Sequence, residues 1–335
     1  MVKKHILLFI LVDIIIVLVV FYVALWAISF KKYPVDYGIS FNINHAKSLD
    51  LDWKETYLAM LDDLQPKYIR ISATWSDAEG VRDLFDSTNV DWMMLEAGKR
   101  KTRVILAIGQ KAPRWPECHV PDWTNDLEQE EYRQELKNYV RYVVERYRNH
   151  PALDIWQVEN EPFINFRFGD CEHFDEGVVK DEIELVQSLD SQHKVLTTDS
   201  GELSTWRKAI GAGDIFGTTV YRIVMTPNGF YWNYDWLPAG FYKLKYKFWF
   251  PGDKPFIVSE LQAEPWFTGE GAVYTPVEVQ EKSMDPERLQ KHFDFVERMG
   301  VSRAYLWGVE WWYFMKEVND DERYWEMVKL KIKQI

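Results

Sequence analysis

Glu161 and Glu260 are the two residues whose surroundings could make them act as a chemical pair. Each follows an apolar run, Asp154–Val158 and Pro255–Ser259, so each is a carboxylate delivered to the end of a buried strand. Two carboxyl groups held opposite one another can divide a reaction. One gives a proton to a leaving oxygen, and the other attacks or stabilises the carbon left electron-poor. Cleavage of a glycosidic bond uses such a pair, and in the stereochemically retaining form the two stand about 5–5.5 Å apart. Glu159 and Glu310 also lie near the strand ends and are not taken as catalytic. His45, His119 and His173 fall on loops at no standard metal-ligand spacing, so they are expected to be solvated or bonded to backbone. No metal or cofactor is expected.

Precise placement of two side chains requires rigid elements. Eight β-branched or aromatic runs recur along the chain: Tyr37–Phe41, Tyr68–Trp75, Arg103–Gly109, Asp154–Val158, Lys194–Thr198, Ile215–Tyr221, Pro255–Ser259 and Ala304–Val309. Helical patterns separate them. Trp53, Tyr57, Met60, Leu61 and Leu64 share one helix face, as do Leu136, Tyr139, Val140 and Val143 within Glu130–Tyr147. Asp285-Pro286-Glu287 reads as a cap, with proline at the first helical position and Gly300 as the stop. Eight strand–helix units in about 280 residues predict an α/β fold, a closed (β/α)8 TIM barrel over residues 37–335. An open doubly wound sheet would place a glycine-rich phosphate turn after its first strand; Asn42-Ile43-Asn44-His45 stands there instead. In such a barrel the site lies at the C-terminal strand ends, where Glu161 and Glu260 come from the fourth and seventh strands.

Before the barrel, residues 6–30 form an almost unbroken apolar run, preceded by a short tail, 1–5, and followed by a linker, 31–36. About 20 such residues cross a bilayer. The run predicts one N-terminal transmembrane helix, a lipid-embedded anchor for a single-pass protein. A secretory signal would have a shorter core, although Ala27-Ile28-Ser29 could pass as a cleavage site. Asp13 inside the run is costly there. The flanking lysines, with the α-amino group, lean toward the N-terminus in and the barrel outside the cytoplasm. Residues 1–32 carry +3 of the chain's net charge of −12, which leaves −15 for the remainder. That acidity argues against nucleic acid as a partner and suits a neutral substrate. The chain has 16 Trp, 18 Tyr and 19 Phe. Their rings suit the apolar faces of sugars, although most must serve packing. The two cysteines, Cys118 and Cys171, fall in the loops after the third and fourth strands. Adjacent loops could bring them together as a disulfide, which would require an extracytoplasmic location. Two unrelated thiols is the alternative.

Trp156-Gln157-Val158-Glu159-Asn160-Glu161-Pro162 resembles the strand-four Asn-Glu-Pro signature of clan A glycoside hydrolases, and Val258-Ser259-Glu260 resembles the clan's strand-seven nucleophile. The resemblance spans roughly residues 37–315 and is similar to family 5, the cellulase family, or family 39. It implies Glu161 as acid/base and Glu260 as nucleophile. It also implies that Asn160 binds the sugar 2-hydroxyl, Arg70 holds the nucleophile ionised, Tyr221 hydrogen-bonds it, and Trp307 floors the sugar subsite. Gln110, expected among the substrate-binding and supporting residues, stands near the third strand, where family 5 enzymes commonly carry a histidine, and no histidine follows Tyr221. Trp75, Trp115, Trp266 and Trp311 are candidates for sugar stacking. The expected activity is retaining hydrolysis of a neutral β-linked polysaccharide or oligosaccharide. Two alternatives remain: a membrane-tethered carbohydrate-binding protein without catalysis, and a transglycosylase remodelling a surface polymer.

Overall fold

The structure, a computed structural model, describes residues 2–164, 169, 171, 174–226, 228–250, 252–266 and 271–334, with the side chains of residues 2–4 excluded. Strands β1 (Asp36–Ser40), β2 (Tyr68–Ser72), β3 (Arg103–Ile108), β4 (Leu153–Val158), β5 (Lys194–Asp199), β6 (Ile215–Val220), β9 (Phe256–Gln262) and β10 (Arg303–Trp307) form a closed parallel barrel. β1 closes it by pairing with both β10 and β2. A small antiparallel hairpin, β7 (Ile223–Met225) and β8 (Tyr231–Asn233), stands on the connection after β6. The TIM barrel expected from the eight apolar runs is the fold.

Local chemistry sets the element ends. Asp52 caps the helix Trp53–Ala59 by accepting from the Lys54 and Glu55 amides. Asp285 caps Pro286–Val296, with proline in the first turn. β2 and β10 end two or more residues earlier than the sequence suggested. β2 stops at Ser72, and Trp75 opens a short helix, Trp75–Ala78. β10 stops at Trp307 because Gly308, at φ 143°, turns the chain at once into the helix Val309–Val318.

One end of the barrel is sealed. Tyr68, Ile105, Ile155, Leu196, Ile215, Ile257 and Tyr305 form a compact apolar cluster, one residue from every strand except β1. β1 contributes Gly38, where a Cβ would lie 2.7 Å from the Tyr305 ring. The missing side chain is therefore what admits the tyrosine. The floor is packed, and a ligand has access from the opposite end, where the strands finish.

The N-terminal helix, Val2–Ile28, contains one stretch, His5–Ile28, long and apolar enough to cross a membrane. Residues 5–24 are exposed throughout. Its last turn is docked, because Ser29 Oγ donates to the Leu25 carbonyl and accepts from the Gly240 amide. The segment read as a linker also lies along the barrel. Lys32 pairs with Asp294 and Glu297, and the Tyr33 amide donates to the Glu297 carbonyl.

Candidate active site

The turn after β4 carries Glu161. Glu159 and Glu161 have φ of 58° and 44°, the left-handed region that non-glycine residues seldom adopt. Hydrogen bonds hold the turn there. The buried Glu159 carboxylate accepts from the Gln110 and Lys111 amides at 2.8 and 2.6 Å, tying β4 to the turn after β3. A Cβ at Gly109, itself at φ 111°, would come within 2.4 Å of Glu159 Oε1. The Glu161 amide donates to Thr198 Oγ1, and Lys111 Nζ reaches the Glu161 carbonyl. Its side chain then points across the mouth, where Thr219 Oγ1 donates to Oε1 at 2.8 Å.

Glu260 lies inside β9, facing β6 beside a register shift between Thr218 and Thr219. Its two oxygens have separate donors, Arg70 Nη1 to Oε1 and Tyr221 Oη to Oε2, each at 2.8 Å. Arg70 is almost fully buried and joins three strands. Nε donates to Gln157 Oε1 on β4, Nη2 to Asn160 Oδ1 just after β4, and Nη1 also to the Ser259 carbonyl. With Asn160 Oδ1 occupied by Arg70 and Gln157 Nε2, the Asn160 amide nitrogen is left for the cavity, which Asn160 lines.

Glu161 and Glu260 line one cavity of about 700 Å³ at the strand ends, together with Asn160, Tyr221, Trp115, Trp266 and Trp307. Burial pushes the Glu161 carboxyl well above the ordinary range, and the negative charges of Glu260 and Glu117 push it further. A group in that state is a proton donor near neutral pH. Three neighbours were not singled out as site residues from sequence. Glu117, in the loop after β3, is raised by burial to about 7 and shares the cavity with both glutamates. Glu264 and Arg114 form a second, partly buried ion pair on its wall. Burial opposes ionisation of Glu264, yet Arg114 and His45 hold it down at about 2. The only sequence signal for these residues was their place on loops after strands.

His45 differs from its expected role as a lone loop histidine, since Nε2 lies 3.2 Å from Glu264 on the cavity wall. His119 is bonded to the Arg114 carbonyl, and His173 lies outside the described residues. Among the described residues, His45, Glu264 and Glu310 bring ligand atoms within 4.8 Å of one another. Arg114 supplies a cation there, bonded to Glu264 and 3.5 Å from Glu310 Oε2.

Three expected sugar-contacting residues need correction. Trp75 is fully buried, stacked on Tyr139 with Nε1 donating to Glu79, because β2 ends before it and the helix turns it into the barrel's outer layer. Trp311 is carried inward by the helix after Gly308, packs on Tyr324 and donates to Gln280. Gln110 is buried behind the cavity, with its side-chain oxygen accepting from Tyr132. Trp307 lies on the cavity, with the Arg114 guanidinium 4.3 Å from its ring centroid. Trp266 meets Tyr221 edge to face. Cys118 and Cys171 are joined by a disulfide, Cα atoms 5.4 Å apart, linking the loops after β3 and β4.

The profile of glycoside hydrolase family 42, β-galactosidase, matches residues 45–176. No curated protein matches by sequence. A GH5_18 protein from Bifidobacterium longum subsp. infantis superposes with TM-score 0.57 and 15% identity over 82% of this chain and 69% of that one. An intracellular xylanase from Thermoanaerobacterium saccharolyticum gives 0.54 and 14%, covering 85% and 88%. A β-galactosidase from the haloarchaeon Halorubrum lacusprofundi gives 0.53 and 16%, covering 82% of this chain but 52% of that protein. The chain is similar to the clan A glycoside hydrolases, family 5 among them, in its barrel and, over residues 45–176, in its sequence.

Proposed function

We propose that the barrel is a retaining β-glycosidase, anchored in a membrane by its N-terminal helix, that acts on a neutral β-linked sugar through a glycosyl-enzyme. The observation that carries this reading is the unlike setting of two carboxyl groups in one cavity. Glu161 is pushed toward its protonated form by burial and by neighbouring carboxylates. Glu260 has an arginine and a tyrosine donating to its two oxygens, a setting suited to an anion that attacks carbon. In the first step Glu161 gives its proton to the glycosidic oxygen as Glu260 attacks the anomeric carbon. In the second, Glu161 takes a proton from water, and that water displaces Glu260. Asn160 is the donor for the hydroxyl next to the anomeric carbon. The cavity wall also carries Glu117, Glu202 and Glu264, with Arg114 paired to the last. Such a wall disfavours an anionic sugar.

Azide rescue tests the assignment. Glu260→Ala should lose turnover and, with azide and an activated aryl β-glycoside, yield the inverted glycosyl azide. Glu161→Ala should spare good leaving groups and fail on poor ones. Full activity of Glu260→Ala without azide removes it from the mechanism.

A further inference from the structure

Where the N-terminal helix leaves the barrel bears on which substrates can reach the site. The helix Ala239–Trp249 runs from the C-terminal end of β6 back to the start of β9, so its first residues lie at the mouth end of the barrel. The N-terminal helix packs along it in the same sense. The Ile28 carbonyl accepts from Lys243 Nζ, Ser29 Oγ accepts from the Gly240 amide, and Tyr22 Oη donates to the Trp236 carbonyl at 2.6 Å. Falling residue number in the N-terminal helix therefore means movement toward the mouth. The contact is close, since a Cβ on Gly240 would lie 2.1 Å from the Leu25 carbonyl oxygen. Beyond Tyr22 the exposed residues 5–21 continue past the mouth for roughly 25 Å at 1.5 Å per residue. That is most of the thickness of a bilayer's hydrocarbon core.

The surface at that end has matching chemistry. Among the described residues outside 1–30, the exposed aromatics are Trp115, Phe230, Trp232, Trp236, Trp266, Tyr274 and Phe248. All but Phe248 sit on loops that follow strands, at the mouth. Phe230 and Trp232, on the β7–β8 hairpin, are 62% and 51% exposed. Hydrophobic patches of this kind mark interaction surfaces, and tryptophan and tyrosine favour the headgroup level of a membrane. Tyr22 and Trp26, packed edge to face, place the same signature on the N-terminal helix at the height of Trp236.

We infer that the catalytic mouth faces the bilayer from which the N-terminal helix emerges, and that the substrate is a β-glycoside carried on a lipid, offered at the headgroup layer. The inference rests on the glycosidase reading for its chemistry and on the helix geometry for its orientation. The rim aromatics sit among headgroups, and the sugar of a membrane-embedded molecule enters the cavity without leaving the surface. A soluble glycan must enter through the narrow gap between barrel and membrane.

Two readouts on the full chain in phosphatidylcholine nanodiscs test this. A fluorescent label on Trp232→Cys should be quenched by headgroup-level nitroxide lipid, and one on Lys247→Cys, at the opposite end of the barrel, should not. Quenching at 247, or at neither position, overturns the orientation, as does a mature chain that begins after residue 28. For substrate, β-glucosyl and β-galactosyl dialkylglycerols in the nanodisc are compared with soluble aryl β-glycosides. Phe230→Ser/Trp232→Ser should keep turnover of the aryl glycosides within about twofold and lose at least fivefold on the lipid-borne ones. An equal effect on both, or turnover of aryl glycosides alone by the unaltered chain, overturns the substrate inference. Turnover of neither, with quenching at 232, instead brings down the glycosidase reading and the substrate class with it, while the orientation stands.

Discussion

Replacing Arg70 by methionine keeps most of its volume and removes its charge from a site where three strands meet. In the native protein the guanidinium bonds Glu260, Gln157, Asn160 and the Ser259 carbonyl, at 1% side-chain exposure for Arg70 and 6% for Glu260. Removing one partner of a buried ion pair costs about 3–5 kcal/mol because the other charge stays desolvated. The orphaned Gln157 oxygen adds about 1–3 kcal/mol, whereas Asn160 Oδ1 keeps Gln157 Nε2 as a donor. Arg70→Met should therefore lose about 4–8 kcal/mol, a large share of a typical domain's roughly 5–15 kcal/mol. The melting temperature should fall by on the order of 10–20 °C. Adding Glu260→Gln removes the stranded charge. Arg70→Met/Glu260→Gln should thus melt above Arg70→Met, although it carries one substitution more. Thermal unfolding of the three proteins and the unaltered chain in one detergent at pH 7 measures this. A double variant no more stable than Arg70→Met, or an Arg70→Met that melts within about 3 °C of the native chain, would refute the claim that Arg70 offsets the burial of Glu260.

Tyr221→Phe deletes one hydrogen bond to Glu260 and leaves the ring packed on Trp266. A bond to a charged group contributes about 1.5–3 kcal/mol, so kcat on aryl β-glycosides should fall roughly 10- to 150-fold with a melting point shift of a few degrees at most. Glu117→Gln removes a negative charge that helps hold the Glu161 carboxyl up. Activity needs protonated Glu161 and is lost as pH rises through its pKa, so the alkaline limb of kcat/KM should move to lower pH; an unmoved or upward-shifted limb separates Glu117 from the acid. Cys118→Ser/Cys171→Ser opens a loop of 53-residue separation. In the chain-entropy model this costs about 4 kcal/mol, and scanning calorimetry against the native chain should show the loss, absent when both are measured under reductant.

The barrel was legible because its strands are buried on both sides and so read as apolar runs, each bounded by a cap or turn. Glu161 and Glu260 were legible because strand-end placement depends only on counting strands. The errors at Trp75 and Trp311 share a cause. Each stands shortly beyond a strand end, and whether the chain continues extended or turns into a helix is decided by backbone geometry such as that of Gly308. Glu117, Arg114 and Glu264 could not be found by counting, because loop shape brings them to the cavity. The docking of residues 29–33 was hidden for a similar reason, since its partners, Gly240, Asp294 and Glu297, are more than 200 residues away in sequence.

The packed floor built around Gly38 and Tyr305 makes the barrel a blind vessel. Everything that enters the cavity must retreat by the same opening. On the proposed mechanism, the departing alcohol and the incoming water therefore share one passage while the glycosyl-enzyme persists. An alcohol slow to clear that passage is itself a competing acceptor. The ratio of transfer to hydrolysis becomes a matter of traffic at the rim as well as of chemistry at Glu260, and residues such as Trp115 and Trp266, remote from bond cleavage, acquire leverage over which product is released.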